Sequence, residues 1–232
     1  MSKREEAPEK TPIIKKGKFF VLDGTDGAGK HTQLELLEKR FEEIDSCVEE
    51  FSFPQYGNPS AYFVENYLKG LYPDHKTMPA HGPSIMFALD RFDAREDIEE
   101  ALESGSIVLS DRYTSANMGH QGAKITDIHA KKRLLDWIRY MEFEMLGVLK
   151  PNLTIILHVP AEIAWRRIEK RGRKRDKHEQ SSEHIKESVR TFKLMCDWYR
   201  REFVGVDCMD GKRELPEAEI HNKIWKIIKK HL

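Results

Sequence analysis

The sequence predicts an α/β fold built on a parallel sheet with helices on both faces. Short apolar runs alternate along the chain with stretches of helical periodicity. The first run, Phe19-Phe20-Val21-Leu22, stops at the glycine-rich turn Gly24-Thr25-Asp26-Gly27-Ala28-Gly29 and passes straight into a helical pattern. Parallel strands need crossover connections, and each crossover here has a helix to supply it. With 232 residues the chain is long enough for one sizeable core. It reads as a single domain over 18–232 behind a flexible charged tail over 1–17.

Taken in order, the first helix is marked by Leu34, Leu37, Phe41 and Ile44 at helical spacing. A second strand is expected over Cys47–Phe53, running into the turn-rich Pro54-Gln55-Tyr56-Gly57. Ser60 is placed to cap a short helix through Leu68, closed by Gly70. The prolines and histidines of 71–83 read as a solvated loop, because His75 and His81 have no further ligand at a metal-binding spacing. One long helix is then expected over Ser84–Glu103, followed by the apolar strand Ile107-Val108-Leu109 that delivers Asp111 at its C-terminal end. Further helices are expected over Ile128–Leu146, Ala161–Lys170, Ser182–Phe203 and Pro216–Leu232, with strands over Leu153–Val159 and Val204–Met209. The last helix reads as packing on the sheet rather than as a membrane-seeking segment.

The turn after the first strand carries the chemistry. Gly24, Gly29 and Lys30 fit a phosphate-binding loop, in which backbone N–H groups and the start of the following helix cradle a polyphosphate and Lys30 brings a full charge. Gly24, Thr25, Asp26, Gly27, Ala28, Gly29, Lys30, His31 and Thr32 are therefore candidates for ATP binding. His31 stands where this motif usually places a hydroxyl, and Thr32 is expected to point away. A metal ion would then lean on carboxylates and water, Asp111 foremost. The strand's C-terminal end is also where ligands sit in such sheets. The dense positive run from Arg171 to Glu179 reads as a flap that closes over polyphosphate.

Composition narrows the classes. Lys+Arg and Asp+Glu both number 39, so no global field favours nucleic acid or an acidic membrane. The three cysteines, Cys47, Cys196 and Cys208, have no ligand spacing and read as free buried thiols. The N-terminus lacks the apolar core of a signal sequence, and a cytoplasmic location is expected. A GTP-reading switch would need Asn-Lys-x-Asp, whereas Asn222-Lys223 is followed by Ile224-Trp225. A small-molecule kinase remains. A different nucleoside monophosphate or deoxynucleoside kinase, and a non-catalytic nucleotide-binding regulator, stay open on the residues alone.

Several segments together resemble the thymidylate kinase family: Asp23–Lys30, Phe53-Pro54-Gln55-Tyr56-Gly57, Phe87-Ala88-Leu89-Asp90-Arg91, Asp111-Arg112-Tyr113-Thr114-Ser115-Ala116-Asn117, and the basic run, in the family's order. The resemblance implies a three-layer P-loop kinase fold with five parallel strands and a basic lid over about 171–181. It also implies phosphorylation of dTMP by ATP with Mg²⁺, and a homodimer. By resemblance Lys30, Asp26, Arg112, Arg173 and Arg175 would be catalytic. For an isolated pair, Phe87 would read as core and Arg91 as a surface charge; the resemblance instead has Phe87 stack on thymine and Arg91 bond its carbonyl. Asn117 would face the ring N–H, and Asp26 would take the sugar 3′-hydroxyl. Arg112 would hold the acceptor phosphate with Tyr56 nearby, and Phe53, His120 and Gln121 would complete the dTMP site. Asp111 and Glu179 would be the metal carboxylates. Gln55 replaces an arginine common in the family, and His120 an aromatic residue beneath the sugar. Gly27 places this chain with members that take the catalytic arginine from the lid.

Overall fold

The computed structural model describes residues 17–72, 78–170 and 181–232. The tail before residue 17, His75, and the lid candidates Arg173, Arg175 and Glu179 lie outside the described residues. The chain runs β1 (Lys18–Asp23), α1 (Lys30–Glu42), β2 (Val48–Ser52), α2 (Tyr62–Leu68), α3 (His81–Asp93), α4 (Arg95–Glu103), β3 (Ile107–Asp111) and α5 (Thr114–Gly122). It continues with α6 (Ile128–Arg139), a π-helical turn (Tyr140–Met145), β4 (Leu153–His158), α7 (Ala161–Lys170), α8 (Ser182–Trp198), β5 (Phe203–Asp207), a small hairpin β6–β7 (Met209–Asp210, Arg213–Glu214) and α9 (Glu217–Ile228).

The main sheet is five-stranded in the order β2-β3-β1-β4-β5, with every pairing parallel. Side chains alternate across it as the strand period requires. Phe20 and Leu22 of β1 pack with Leu34, Leu37 and Phe41 of α1 and with Ile220, Ile224 and Ile228 of α9. Phe19 and Val21 face the opposite side with Ile98 and Ala101 of α4, and Ile156 of β4 joins Phe192 and Met195 of α8 there. The fold is therefore a sheet between two helical layers. Because β1 is central and β3 is its neighbour, Leu22 lies opposite Asp111 in register. The phosphate loop and the acid of β3 leave the sheet side by side.

Several expected boundaries move. The helix expected over Ser84–Glu103 begins at His81 and is broken at Ala94, which ends α3 and starts α4. Arg91 and Ile98 are seven residues apart and would share one stripe of an unbroken helix. The break lets Arg91 border a cavity while Ile98 faces the sheet. The helix expected through Leu146 gives way to the π-helical turn after Arg139. That expected through Phe203 ends at Trp198, and the closing helix ends at Ile228. Ser60 caps nothing; its Oγ donates to Asp90 Oδ1 at 2.9 Å. Helix α5 and the β6–β7 hairpin were not expected. His81 lies edge-on to Trp137, at 4.6 Å between ring centroids. Of the expected buried thiols, Cys47 is exposed, while burial pushes the Cys196 and Cys208 thiols up to about 12 and about 11. Helix α9 lies on the sheet, with Ile220, Ile224, Trp225 and Ile228 buried.

Candidate active site

The loop between β1 and α1 is held from both ends. Asp23, the last residue of β1, accepts from Gly24 N–H at 2.8 Å and from Ser115 Oγ at 2.5 Å. Burial raises its pKa, against the pull of Lys30 and Arg112. Gly27 has φ +80°, and a Cβ there would come within 2.5 Å of the Ala164 carbonyl oxygen. A side chain at this position would collide with α7. Arg167 of α7 reaches back, its Nη1 donating to the Gly27 carbonyl at 3.1 Å while Nη2 pairs with Glu214 at 2.7 Å. Thr25 Oγ1 lies 2.6 Å from Ser188 Oγ, tying the loop to α8.

Lys30 is 6% exposed and folds over the loop, donating to the Gly24 and Thr25 carbonyls at 3.1 and 3.2 Å. Burial and the neighbouring Arg112 lower its pKa, against Asp26, Asp111 and Asp23. A cavity of about 490 Å³ opens beside it, bordered by Asp26, Gly29, Lys30, His31, Thr32, Asp111 and Arg112. His31 turns outward to Glu35 at 3.2 Å, its side chain 82% exposed. Thr32, expected to point away, borders this cavity and a second one of about 250 Å³. Gly27, Gln33, Arg167, Leu215 and Glu217 also border that second cavity.

On the other side of Asp26 lies a cavity of about 210 Å³, bordered by Asp26, Phe53, Tyr56, Phe87, Arg91, Arg112, Asn117, His120 and Gln121, with Asp111 at its edge. These are the residues expected for a monophosphate substrate, brought here from the loop after β2, from α3, from the end of β3 and from α5. Asp26 and Arg112 form an ion pair at the junction of this cavity and the one beside Lys30. Burial works to raise the Asp26 carboxyl, but Arg112, His120 and Lys30 outweigh it and hold the group well below the usual carboxylate range. Arg112 has φ +69°, a left-handed conformation that costs a residue with a Cβ of the order of 1 kcal/mol. Ser110 Oγ donates to its carbonyl at 2.6 Å and helps to hold it there.

At the far end of this cavity Arg91 is buried and doubly bonded to Glu142, at 2.6 and 2.7 Å. Asn117 Nδ2 donates to the Ser84 carbonyl and to Glu142, while its Oδ1 is buried with no partner. Gln55 turns from the cavity to α3, its N–H donating to Asp90 Oδ2 at 3.0 Å and its Nε2 to the Asp90 carbonyl at 2.8 Å. Asp111 Oδ1 is likewise buried without a partner, a hard oxygen donor beside the phosphate cavity. Among the described residues no three acids, histidines or cysteines cluster as a metal shell.

Sequence reasoning missed Glu142, Arg167 and Gln33. The first two act on partners 51 and 140 residues away, a relation no local pattern carries.

A family model described as thymidylate kinase matches residues 22–220. The chain is 31% identical to a thymidylate kinase of Afipia carboxidovorans over 226 residues, 94% of this chain and 91% of that protein. It is 32% identical to one of Neisseria meningitidis over 216 residues, covering 93% and 98%. It is also 31% identical to one of Mycobacterium tuberculosis over 172 residues, covering 71% and 79%.

Proposed function

The chain belongs to the thymidylate kinase family, and on that premise we propose that it transfers the γ-phosphoryl group of ATP to dTMP, giving dTDP and ADP. The observation that carries this reading is the shared wall of the cavities of about 490 and about 210 Å³. Asp26, Asp111 and Arg112 border both, so a phosphate in one faces a phosphate in the other. ATP would lay its triphosphate along 24–32 and its base toward Gln33 and Arg167. The monophosphate would lie with its base between Phe87, Arg91 and Asn117, its sugar near Asp26 and His120, and its phosphate on Arg112 beside Tyr56.

An oxygen of the dTMP phosphate forms the new bond to the γ-phosphorus as the bond to the β–γ bridging oxygen breaks. The nucleophile is already anionic, so no general base is needed. What this chain supplies is alignment and positive charge: Lys30 and Arg112 fixed in the fold, with Arg173 and Arg175 proposed to join them from the lid. Magnesium, when bound, would neutralise charge on the phosphates. Asp111 fits it through an oxygen that has no protein partner, with water and the phosphates completing the shell and Glu179 proposed as a second acid.

Two further features belong to this reading. A homodimer is supported by the exposed stripe Ile85, Leu89 and Phe92 on α3, beside exposed Phe63 on α2. A cytoplasmic site of action accords with the free cysteines, and no helix among the described residues is long and apolar enough to cross a membrane.

The test is ADP release with dTMP, dUMP, UMP, CMP, AMP, GMP and thymidine as acceptors. We expect dTMP to be used best, and Lys30→Met to reduce kcat on the order of 10³-fold, as for loss of other phosphoryl-transfer cations. Acceptor-independent binding of ATP without turnover, or full turnover by Lys30→Met, would sink the assignment.

A further inference from the structure

The π-helical turn between α6 and β4 does more than end a helix. Its Leu146 N–H bonds the Met141 carbonyl at 3.0 Å, five residues back, and the Val148 N–H bonds the Glu142 carbonyl at 2.9 Å. Wide turns of this kind often re-aim a side chain at a functional site. Here the side chain is Glu142, fully buried at the base-reading end of the cavity bordered by Phe87, Arg91 and Asn117.

Its two oxygens accept four hydrogen bonds. Arg91 gives Nε–H to Oε2 at 2.7 Å and Nη2–H to Oε1 at 2.6 Å, Thr114 gives its hydroxyl to Oε2 at 2.6 Å, and Asn117 gives Nδ2–H to Oε1 at 2.8 Å. The second Asn117 donor goes to the Ser84 carbonyl at 3.0 Å. A carboxylate and a carbonyl can only accept. Turning the Asn117 amide over would set its oxygen against both, so its orientation is fixed by its neighbours. The consequence is an acceptor, Asn117 Oδ1, left without a partner on a residue that borders the cavity. Beside it Arg91 keeps N–H groups that Glu142 does not use.

We infer that Glu142 is a positioning residue that sets the hydrogen-bond polarity of this site, so that it takes pyrimidine monophosphates with a 4-keto group and an N3–H and rejects 4-amino pyrimidines. This rests on the dTMP kinase reading above and adds to it the residue that selects the class of base. Thymine offers an acceptor at O4 to Arg91 and a donor at N3 to Asn117. Cytosine offers a donor and an acceptor in the same two places, and both pairings fail. A site built to hydrogen-bond its substrate rejects such a mismatch strongly, because buried polar groups are left unpaired.

The experiment compares kcat/KM for dTMP and for 5-methyl-dCMP, which share the methyl group and differ only along this edge. In Glu142→Gln one of the two groups that fix the Asn117 amide can donate instead of accept, which weakens its fixed orientation, and the dTMP preference should fall about a hundredfold. The change should appear mainly in KM for dTMP, with KM for ATP unmoved. Thr114→Val removes one of the four donors without touching the cavity lining, and should shift the ratio in the same direction by about fivefold. It also serves if Glu142→Gln does not fold. If both acceptors lose activity equally in the variants and the ratio holds, Glu142 is only structural and the inference is overturned while the kinase assignment stands. A wild-type protein that does not turn over dTMP overturns both.

Discussion

His120 stands between two cations and an acid, and its protonation state follows from that position. Arg112 Nη1 lies 3.1 Å from its Nε2, the His184 ring stacks 5.7 Å away, and Phe192 meets its ring edge-on. Burial lowers its pKa well below the ordinary value; Asp26 works against this, and Arg112, His184 and Lys30 add to it. The folded protein therefore holds a neutral imidazole, which accepts from Arg112. The unfolded chain takes up this proton near pH 6.5. Stability contributed by His120 is then complete above that value and is lost as the pH falls below it. Between pH 7.5 and pH 5.5 wild-type protein should lose about 1 kcal/mol more than His120→Gln in urea unfolding. Equal losses would mean that the folded state binds the proton after all.

Helix α5 shows why one element escaped the sequence. Thr114-Ser115-Ala116-Asn117-Met118-Gly119-His120-Gln121-Gly122 has low helix propensity and no apolar stripe, because every residue in it is buried. Its glycines are there for close approach: a Cβ on Gly119 would lie 2.3 Å from Phe192 Cζ, and one on Gly122 would lie 2.8 Å from Leu135 Cδ1. Gly119→Ala would gain about 1 kcal/mol in an isolated helix. Here overpacking should win at about 1–3 kcal/mol, lowering the urea midpoint, and Phe192→Leu in the same chain should recover most of the loss. A midpoint that rises in the single variant would refute the contact. The phosphate loop, by contrast, was legible because strand, glycines, lysine and helix are contiguous. So were the strands that deliver Leu22 and Asp111. Arg91 was ambiguous, since nothing within one helix says whether a charge faces water or a partner such as Glu142, and the bend at Ala94 that aims it has neither glycine nor proline to announce it.

For the molecule as a whole, the parallel sheet and its two helical layers followed from the alternation of apolar runs and helices, whereas the strand order and any pairing between chains have no such signature. Ile85, Leu89 and Phe92 could be read only as part of a helix, and their exposure became visible once α3 was packed on its other side. We expect wild-type protein to sediment as a dimer and Leu89→Glu to sediment as a monomer, since a charge in an apolar interface lacks a partner. A monomeric wild-type protein in analytical ultracentrifugation would remove this assembly.

The residues common to the proposed donor and acceptor cavities, Asp26, Asp111 and Arg112, all belong to the phosphate end, whereas Phe87, Arg91 and Asn117 border only the acceptor cavity. Evolution can therefore retune which nucleobase is admitted by drift in α3, α5 and the turn that carries Glu142, leaving the transfer apparatus intact. The transfer residues enjoy no such freedom, since any exchange there is felt by donor and acceptor together.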